Sequence, residues 1–471
     1  MNLKNISHAY FLGIGGIGMS AIARYLNSQG IVVCGYDKTP SDLTQALEDE
    51  GIRITFEDSI HTLPEWINSN PSSVLLVYTP AIPKDHHQMN HLKSMELTLF
   101  KRSEVLGMIS NNAFCIAVAG THGKTTTSTL VAHLLHENNI NFTAFLGGIS
   151  ANYGTNYLHH TTGRNVFSDK SIVVLEADEF DRSFHRLNPD VAIITAIDPD
   201  HLDIYENEEA FSEAFRIFAG KIKPGGQLIY HQSLTEKWPS GIQCVAYGNG
   251  AEGNPSVRCE NVTPATDVFN FDIVTTAHEQ VNSLPGWQSG LPGFHNVENA
   301  TAAVAACMEL PGVSTDALHK GVKSYRGAKR RFEYVIKNTD SIVIDDYAHH
   351  PQELNAIIGS VKALYPDRSI TGIFQPHLFS RTRDFADGFA QSLDALDIPI
   401  LLDIYPAREL PIPGITSGWL LEKMHNPNKL QLSNEAAVSY VKTHKPSLLL
   451  ILGAGDIDRL VPVIKEIYHE I

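Results

Sequence analysis

The chain is predicted to be an α/β protein of three domains, each built around a mostly parallel β-sheet. Three observations predict it. Apolar runs that read as strands alternate with helix-like stretches in three successive parts of the sequence, the βαβ rhythm of a sheet covered on both faces. Two glycine-rich loops about a hundred residues apart, Gly13-Ile14-Gly15-Gly16-Ile17-Gly18 and Gly120-Thr121-His122-Gly123-Lys124-Thr125-Thr126, each follow a strand-like run and precede a helix-like one. A length of 471 residues exceeds what one typical core accommodates.

In the opening third, strand-like runs lie at 9–14, 31–36 and 74–78, with helix-like stretches after the first two. A short run at 97–100 and the polar stretch 110–112 precede the second loop, placing a boundary near residue 108 and a first domain over 1–107. The middle segment repeats the rhythm at 116–119, 172–175 and 191–197. Residues 225–290 are more polar, rich in Gly, Asn and Thr, and read as an irregular or antiparallel extension. An Ala-rich helix is expected from 296 to about 308, with Asn296 as N-cap. The basic cluster Arg326, Lys329, Arg330 and Arg331 marks the crossing from a central domain over 108–325 to a last domain over 326–471. That last third is again α/β, with strands expected at 342–347, 370–374, 398–404 and 448–452.

Composition excludes some classes. Apolar content of 43% and charged content of 19% are ordinary for a globular protein. A net charge of −16 argues against nucleic acid as the main partner, although local N–H groups and a few cations can still hold an anionic substrate. There is no uninterrupted apolar run of membrane-spanning length, so a soluble, cytoplasmic protein without membrane insertion is expected. Cys34, Cys115, Cys244, Cys259 and Cys307 are scattered with no CxxC pair, and most sit in apolar contexts and read as buried thiols rather than ligands or disulfides.

The chemistry is concentrated at the loops. A strand, a tight Gly turn and a helix N-terminus leave unpaired N–H groups aimed at one spot, with a favourable dipole behind them. In the GxxxxGK[ST] phosphate-loop pattern the first glycine would fall at Val118, and here it stands at Gly120, a shortened variant. Backbone N–H groups from Gly120 through Thr121, His122, Gly123, Lys124 and Thr125 to Thr126 can still wrap a triphosphate. Lys124 can neutralise β- and γ-phosphate charge, and the Thr125 hydroxyl can bind Mg²⁺. Two later strand ends run into Glu176-Ala177-Asp178-Glu179 and Asp198-Pro199-Asp200-His201. Ligands of open parallel sheets bind beyond the carboxyl ends of strands, so Glu176 and His201 are candidate Mg²⁺ ligands, with the carboxylate ranked first for so hard a cation. Glu179 and Asp181 read equally well as solvated turn acids.

Gly13-x-Gly15-x-x-Gly18 is a dinucleotide fingerprint, with Asp37 at a strand end nineteen positions past Gly18. A diphosphate on a helix N-terminus, with an acid meeting ribose or base, describes NAD and a UDP-sugar equally well. Gly16 would let a bulky ligand approach the backbone. Thr79 follows another strand and either lines the same crevice or forms an ordinary turn.

Together these residues resemble the Mur ligases, ATP-dependent amide-forming enzymes of peptidoglycan synthesis. The motifs fall in order along almost the whole chain: FLGIGGIGMS at 11–20, AGTHGKTTT at 119–127, EADEFDRSF at 176–184, DPDHLDIY at 198–205, GFHNVENATAA at 293–303, KRRFE at 329–333, DDYAHHP at 345–351 and FQPHLFSRTRDF at 374–385. The resemblance implies a Rossmann-like UDP-sugar domain, a central P-loop ATPase-like domain, and a C-terminal Rossmann-like domain that closes on ATP and the amino acid. It is greatest to the alanine-adding branch, which implies UDP-N-acetylmuramate and L-alanine as substrates, ATP and Mg²⁺ as cofactors, and allows a homodimer. In that chemistry ATP phosphorylates the lactyl carboxylate and the amine of the amino acid captures the acyl phosphate.

By position, the resemblance gives Lys124 the γ-phosphate and gives Thr125, Glu176 and His201 the magnesium. It places His295, Asn296 and Asn299 near ATP, although the two asparagines also read as helix caps. Gly13, Gly15, Gly16, Gly18, Asp37, Thr79 and Arg102 form the UDP-sugar set. Arg331 would reach the phosphates, and Asp346 and the pair His349-His350 would orient ATP and the amino acid. His349 would serve as general base or simply be solvated, and Arg381 would pair with the amino acid's carboxylate. The helix that carries a carbamylated lysine in several relatives shows Arg216 here, with lysine only at Lys221, so no such modification is expected. Leu378 replaces a cation of the PHRxxRT pattern of many relatives. Three alternatives stand at this stage: a murein-peptide recycling ligase on the same sugar, an NAD-dependent oxidoreductase built on the first loop, and a nucleotide-controlled binding protein.

Overall fold

The computed structural model describes residues 3–167, 170–198, 205–265, 268–277, 280–407 and 409–469. Two compact units emerge, one comprising Met1–Glu260, Ile273–Pro285 and Glu298–Tyr325, the other Asn261–Asp272, Gly286–Val297 and Arg326–Ile471.

The first unit opens with β1 (His8–Leu12), α1 (Ile17–Ser28), β2 (Val32–Tyr36), α2 (Asp42–Asp49), β3 (Arg53–Thr55), α3 (Trp66–Ser69), β4 (Val74–Tyr78), α4 (His87–Ser94), β5 (Leu99–Lys101) and α5 (Arg102–Asn111). The strands form a five-stranded sheet in the order β3-β2-β1-β4-β5, parallel throughout. A continuous apolar run suits β1 because both faces are covered: Ala9 and Phe11 enter one core cluster, Tyr10 and Leu12 another. Strand order reverses between β1 and β4, which opens a crevice beyond their carboxyl ends.

A ten-stranded sheet follows. Its elements are β6 (Phe114–Ala119), α6 (Lys124–Glu137), β7 (Phe142–Phe145), β8 (Tyr157–His160), β9 (Ile172–Glu176), β10 (Val191–Ile194), α7 (Glu208–Ala219), β11 (Gln227–His231), β12 (Gln243–Asn249), β13 (Val257–Ala265), β14 (Val268–Ala277), β15 (Gln280–Ser289), α8 (Phe294–Met308) and α9 (Thr315–Ser324). The order is β15-β14-β13-β12-β11-β10-β6-β9-β7-β8. β6 lies between parallel β10 and β9 and is buried from Cys115 to Ala119. Cys115, Ala117 and Ala119 share one core cluster with Phe11, Met19 and Leu26, so within the first unit β6 and β1 face a common interior. Asn156 reinforces the join, donating to Ser20 Oγ at 2.8 Å and accepting from Arg24.

Two expectations change here. The extension at 225–290 is not antiparallel at its start, because β11, β12 and β13 continue the parallel ladder from β10. Only β13, β14 and β15 have connections of two residues, too short for a parallel crossover. Asn296 is not the N-cap of α8: the helix begins at Phe294, and the Asn296 amide donates to Pro292 O at 2.6 Å from inside the first turn.

The second unit carries β16 (Glu333–Lys337), β17 (Ile342–Asp346), α10 (Pro351–Leu364), β18 (Thr371–Phe374), α11 (Phe379–Asp384), α12 (Ala386–Leu393), β19 (Ile398–Leu401), α13 (Ser417–Lys423), β20 (Leu430–Gln431), α14 (Asn434–His444), β21 (Leu448–Leu452) and α15 (Leu460–His469). Its sheet runs β16-β17-β21-β18-β19-β20, parallel except for the β16 edge. β21 is buried along its whole length. No helix among the described residues is long and apolar enough to cross a membrane.

Candidate active site

The central loop is shaped by what surrounds it. Gly120 turns the chain at φ +133° where β6 ends, and a side chain there would overlap Thr195 and come within 2.9 Å of Ala196 N. Gly123, at φ +79°, precedes α6 with no side-chain cap, and its added Cβ would lie 2.6 Å from Asn299 Oδ1. The uncapped first turn of α6 leaves N–H groups for an anion. Thr125 Oγ1 donates to Glu176 Oε2 at 2.7 Å, and Asn299 Oδ1 accepts from Thr127 Oγ1 at 3.3 Å. Asp198 N donates to Thr121 Oγ1 at 3.1 Å, with His122 Nε2 3.6 Å from the Asp198 carboxylate. The carbonyl of Thr126 accepts from Tyr325 OH at 2.9 Å. The fold therefore gathers Gly120, Thr121, His122, Gly123, Lys124, Thr125, Thr126, Glu176 and Asn299. His201 lies outside the described residues, and His295 and Asn296 fall in the second unit.

Lys124 has a partner that the sequence did not disclose. Its Nζ donates to Gly120 O at 2.6 Å and to Glu179 Oε1 at 2.8 Å. Glu179 is 2% exposed, not a solvated turn acid. Burial pushes its carboxyl up to about 7, against the opposing pull of Lys124. Burial alone would lower the Lys124 ammonium, but Glu179, Glu176 and Asp178 outweigh it and hold the group above the ordinary lysine value. Both groups thus retain protons more readily than their exposed counterparts. Asp181, the other acid read as solvated, pairs with Lys101 at 2.9 Å.

The first loop closes at the β1/β4 crevice. Gly13, at φ +87°, would bring a Cβ within 2.5 Å of Thr79 Cγ2, and its N–H donates to Tyr36 O at 2.8 Å. Gly15 N donates to Asp37 Oδ2 at 2.7 Å, so Asp37 orients the loop. Gly16 begins α1 without a side-chain cap. The Arg102 side chain crosses Gly18, where any Cβ would overlap it, with Arg102 Cδ at 2.9 Å. All seven residues of the expected sugar-nucleotide set meet here.

Arg102 joins the two loops. Its Nη2 donates to Asp178 Oδ2 at 2.8 Å, two residues beyond Glu176. A small cavity of about 40 Å³ is bordered by Gly18, Arg102, Phe145, Gly147, Glu176 and Asp178. Gly147 leaves room for the Glu176 carboxylate: an added Cβ would sit 2.6 Å from Glu176 Oε1 and nearer still to Oε2, so the carboxylate would have to shift. Among the described residues no three His, Cys, Asp or Glu form a metal cage. The Thr125 hydroxyl and Glu176 carboxylate supply two hard oxygens, which suits a cation such as Mg²⁺ that keeps waters and substrate phosphates in its shell.

In the second unit, β17 ends at Asp346, whose buried carboxylate accepts from Phe332 N at 2.7 Å and Ala348 N at 2.8 Å. Burial raises its pKa, with Arg331 opposing. Glu353 gathers its neighbours: it accepts from His349 N at 2.9 Å, lies 3.1 Å from His349 Nδ1, and is 3.5 Å from Arg331 Nη1. Arg331 also lies over the Tyr347 ring at 5.1 Å. His350 is buried and caps α10, accepting from Gln352 N. Arg381 is buried on α11, whose N-cap Leu378 adopts φ +69°. Sequence reasoning left Glu179 evenly balanced and missed the roles of Asp178, Gly147 and Glu353. The acidic run at 176–181 signals the two acids, although burial decides which of them turns inward, and no local signal marks Gly147 or Glu353.

Known proteins resemble this chain along its whole length. Residues 8–113 match the Mur ligase family catalytic domain, 118–307 the Mur ligase middle domain, and 330–455 the Mur ligase glutamate ligase domain. A UDP-N-acetylmuramate–L-alanine ligase of Christiangramia forsetii is 44% identical over 470 residues, covering 100% of this chain and 99% of the relative. One from Porphyromonas gingivalis is 46% identical over 472 residues, covering 98% and 99%. Among solved structures, the UDP-N-acetylmuramate–alanine ligase of Thermotoga maritima superimposes with a TM-score of 0.79 at 24% identity, over 98% of this chain and 99% of the other, showing the same fold. With all three family domains present in order and relatives matched from end to end, the chain belongs to the Mur ligase family.

Proposed function

We propose that this protein is an ATP-dependent ligase that joins L-alanine to the lactyl carboxylate of UDP-N-acetylmuramate, releasing ADP and phosphate. The observation that carries the proposal is the small shared cavity, in which Gly18 of the first loop and Arg102 of α5 border the same space as Glu176, itself bonded to Thr125 of the phosphate loop. A carboxylate delivered from one loop would meet a terminal phosphoryl held on the other. The relatives' names supply the substrates, and their extent across both chains supports carrying the whole activity over.

The first loop, with Gly13, Gly15, Gly16, Gly18, Asp37, Thr79 and Arg102, would seat the diphosphate and uridine. Gly120 to Thr126, Asn299, His295 and Asn296 would bind ATP. Lys124 would balance charge on the transferring phosphoryl group. Thr125 and Glu176, with His201, would hold Mg²⁺, which when bound would neutralise charge on the phosphate oxygens. The lactyl carboxylate attacks the γ-phosphorus to give an acyl phosphate and ADP. The amine of L-alanine then attacks the acyl carbon, loses a proton, and displaces phosphate. Arg381 would bind the amino acid's carboxylate, and Arg331, Asp346 and His349 would act on ATP and the amino acid, with His349 taking the amine's proton. We assign the domains to 1–107, 108–325 and 326–471, and place the enzyme in the cytoplasm, where nucleotide sugars and ATP are available.

The test is phosphate release with ATP, Mg²⁺, UDP-N-acetylmuramate and L-alanine, with each component omitted in turn. Release that requires all four, with radiolabelled alanine entering the nucleotide product, is expected. Release driven by a peptide but not by L-alanine would replace this reading with a peptide ligase.

A further inference from the structure

We propose that Glu179 is a built-in counter-ion that competes with nucleotide phosphate for Lys124, held in place by a strained segment pinned to α5. The inference rests on the reading of the central loop as the ATP site.

The Lys124 ammonium is satisfied by the protein itself. Gly120 O accepts at 2.6 Å, Thr121 O lies at 3.4 Å, and Glu179 Oε1 completes the set at 2.8 Å. The two side chains are only 14% and 3% exposed, so the ion pair is shielded from water. A phosphate arriving on the loop meets an ammonium whose donors are already directed elsewhere. Of the three acceptors only Glu179 carries negative charge, so it is the group a phosphate oxygen would replace. Its Oε2 is buried with no hydrogen-bond partner among the described residues, which leaves Lys124 as the main anchor of the carboxylate. Once the lysine turns to phosphate, Glu179 becomes an uncompensated buried charge and has to move or take a proton.

What resists that movement is the segment itself. Asp181 (φ 54°, ψ 22°) and Arg182 (φ 53°, ψ 28°) are consecutive left-handed residues without glycine. Such conformations are disfavoured for residues that carry a Cβ and persist only where surrounding contacts over-determine them. Four contacts do so. Asp178 pairs with Arg102 at 2.8 Å and Asp181 with Lys101 at 2.9 Å, both at the start of α5. Arg182 lies over the Tyr205 ring at 5.3 Å, and its N–H donates to Glu179 O at 3.0 Å. Partly exposed ion pairs are individually weak. Acting together on five residues, they fix where the Glu179 carboxylate points.

The experiment measures the affinity of the full chain for β,γ-imido-ATP with Mg²⁺ by calorimetry. Glu179→Gln removes the competing charge and is expected to bind the analogue about tenfold tighter, the scale of one charge-assisted hydrogen bond. In a Lys124→Ala background the same substitution is expected to give no gain, a result that a merely structural effect would not produce. Lys101→Ala, which loosens the segment, is expected to shift affinity in the same direction by less. An unchanged or weakened affinity in Glu179→Gln, or a gain that persists without Lys124, would overturn the inference. If Glu179→Gln does not fold, Glu179→Asp tests the same point, because its carboxylate is retracted by one methylene: tighter binding supports the inference, and equal or weaker binding overturns it. Wild-type affinity in Lys124→Ala alone would instead remove the reading of the loop as the nucleotide site.

Discussion

Lys124 and Asp345 show how single residues acquire chemistry from their surroundings. Lys124 stands on the first turn of α6 with its charge balanced by Glu179. Lys124→Ala is expected to reduce ligation at least about a thousandfold, in the range seen for lost transition-state charge stabilisation. UDP-N-acetylmuramate binding, measured by calorimetry, should stay near wild type because the sugar-nucleotide loop is built without this residue. Retention of most activity would sink the assignment of the ATP site. Asp345, on buried β17, lies 3.4 Å from Arg330 Nε, yet burial pushes its carboxyl up to about 7. The unfolded carboxyl titrates near ~4. Between these values the folded state binds the proton more tightly, so this group's contribution to stability falls as pH rises from about 4 to 7 and is lost above that. Asp345→Asn is expected to flatten the profile by about 1–3 kcal/mol. The check is the difference in unfolding midpoint between pH 5 and pH 8, which should be smaller in the variant.

At the scale of elements, the strand–loop–helix junction after β6 was legible because its parts are local. An apolar run, glycines with positive φ and a helix with no N-cap side chain follow from a dozen consecutive residues. The need for Gly120 was not legible, since it comes from Thr195 and Ala196 at the end of β10, some seventy-five residues on. Gly120→Ala is expected to lose nucleotide affinity by about tenfold or more, because φ +133° and the overlap with Thr195 both force the loop to shift. Calorimetry with an ATP analogue, alongside an unfolding curve, separates this loss from global destabilisation. The Asn296 cap failed as an expectation because Phe294 and His295 extend α8 by a turn's fraction, and cap rules carry an uncertainty of one or two residues. The extension after residue 225 misled for a different reason. Short polar strands look alike whether parallel or antiparallel, and only the register of β11 against β10 and β12 decides.

At the scale of the molecule, Arg102 links two sites that lie about a hundred residues apart in sequence. It crosses Gly18 and pairs with Asp178, next to the acid that holds Lys124. A diphosphate on the first loop would draw on the same guanidinium and loosen the 178–182 segment. UDP-N-acetylmuramate and the ATP analogue are therefore expected to raise each other's affinity by an equal factor, about threefold or more, as linkage requires. Arg102→Ala should reduce that factor towards one. Calorimetric titration of each ligand with and without the other checks both statements, and coupling unchanged in Arg102→Ala would refute the route.

The sequence by itself determined the three parallel-sheet regions, both glycine-rich strand–loop–helix junctions, the family and the order of its motifs. Each of these is written in contiguous residues whose apolar period, glycines and charges act over one or two turns of chain. Tertiary structure alone decided that Glu179 faces Lys124 while Asp178 and Asp181 face α5, that the Glu176 carboxylate lies against Gly147, and that Glu353 gathers Arg331 and His349. The reason is physical. Which of several neighbouring acids is desolvated and which cation it meets depends on distant segments brought together by burial, and the electrostatics of such groups follow from that burial more than from residue type.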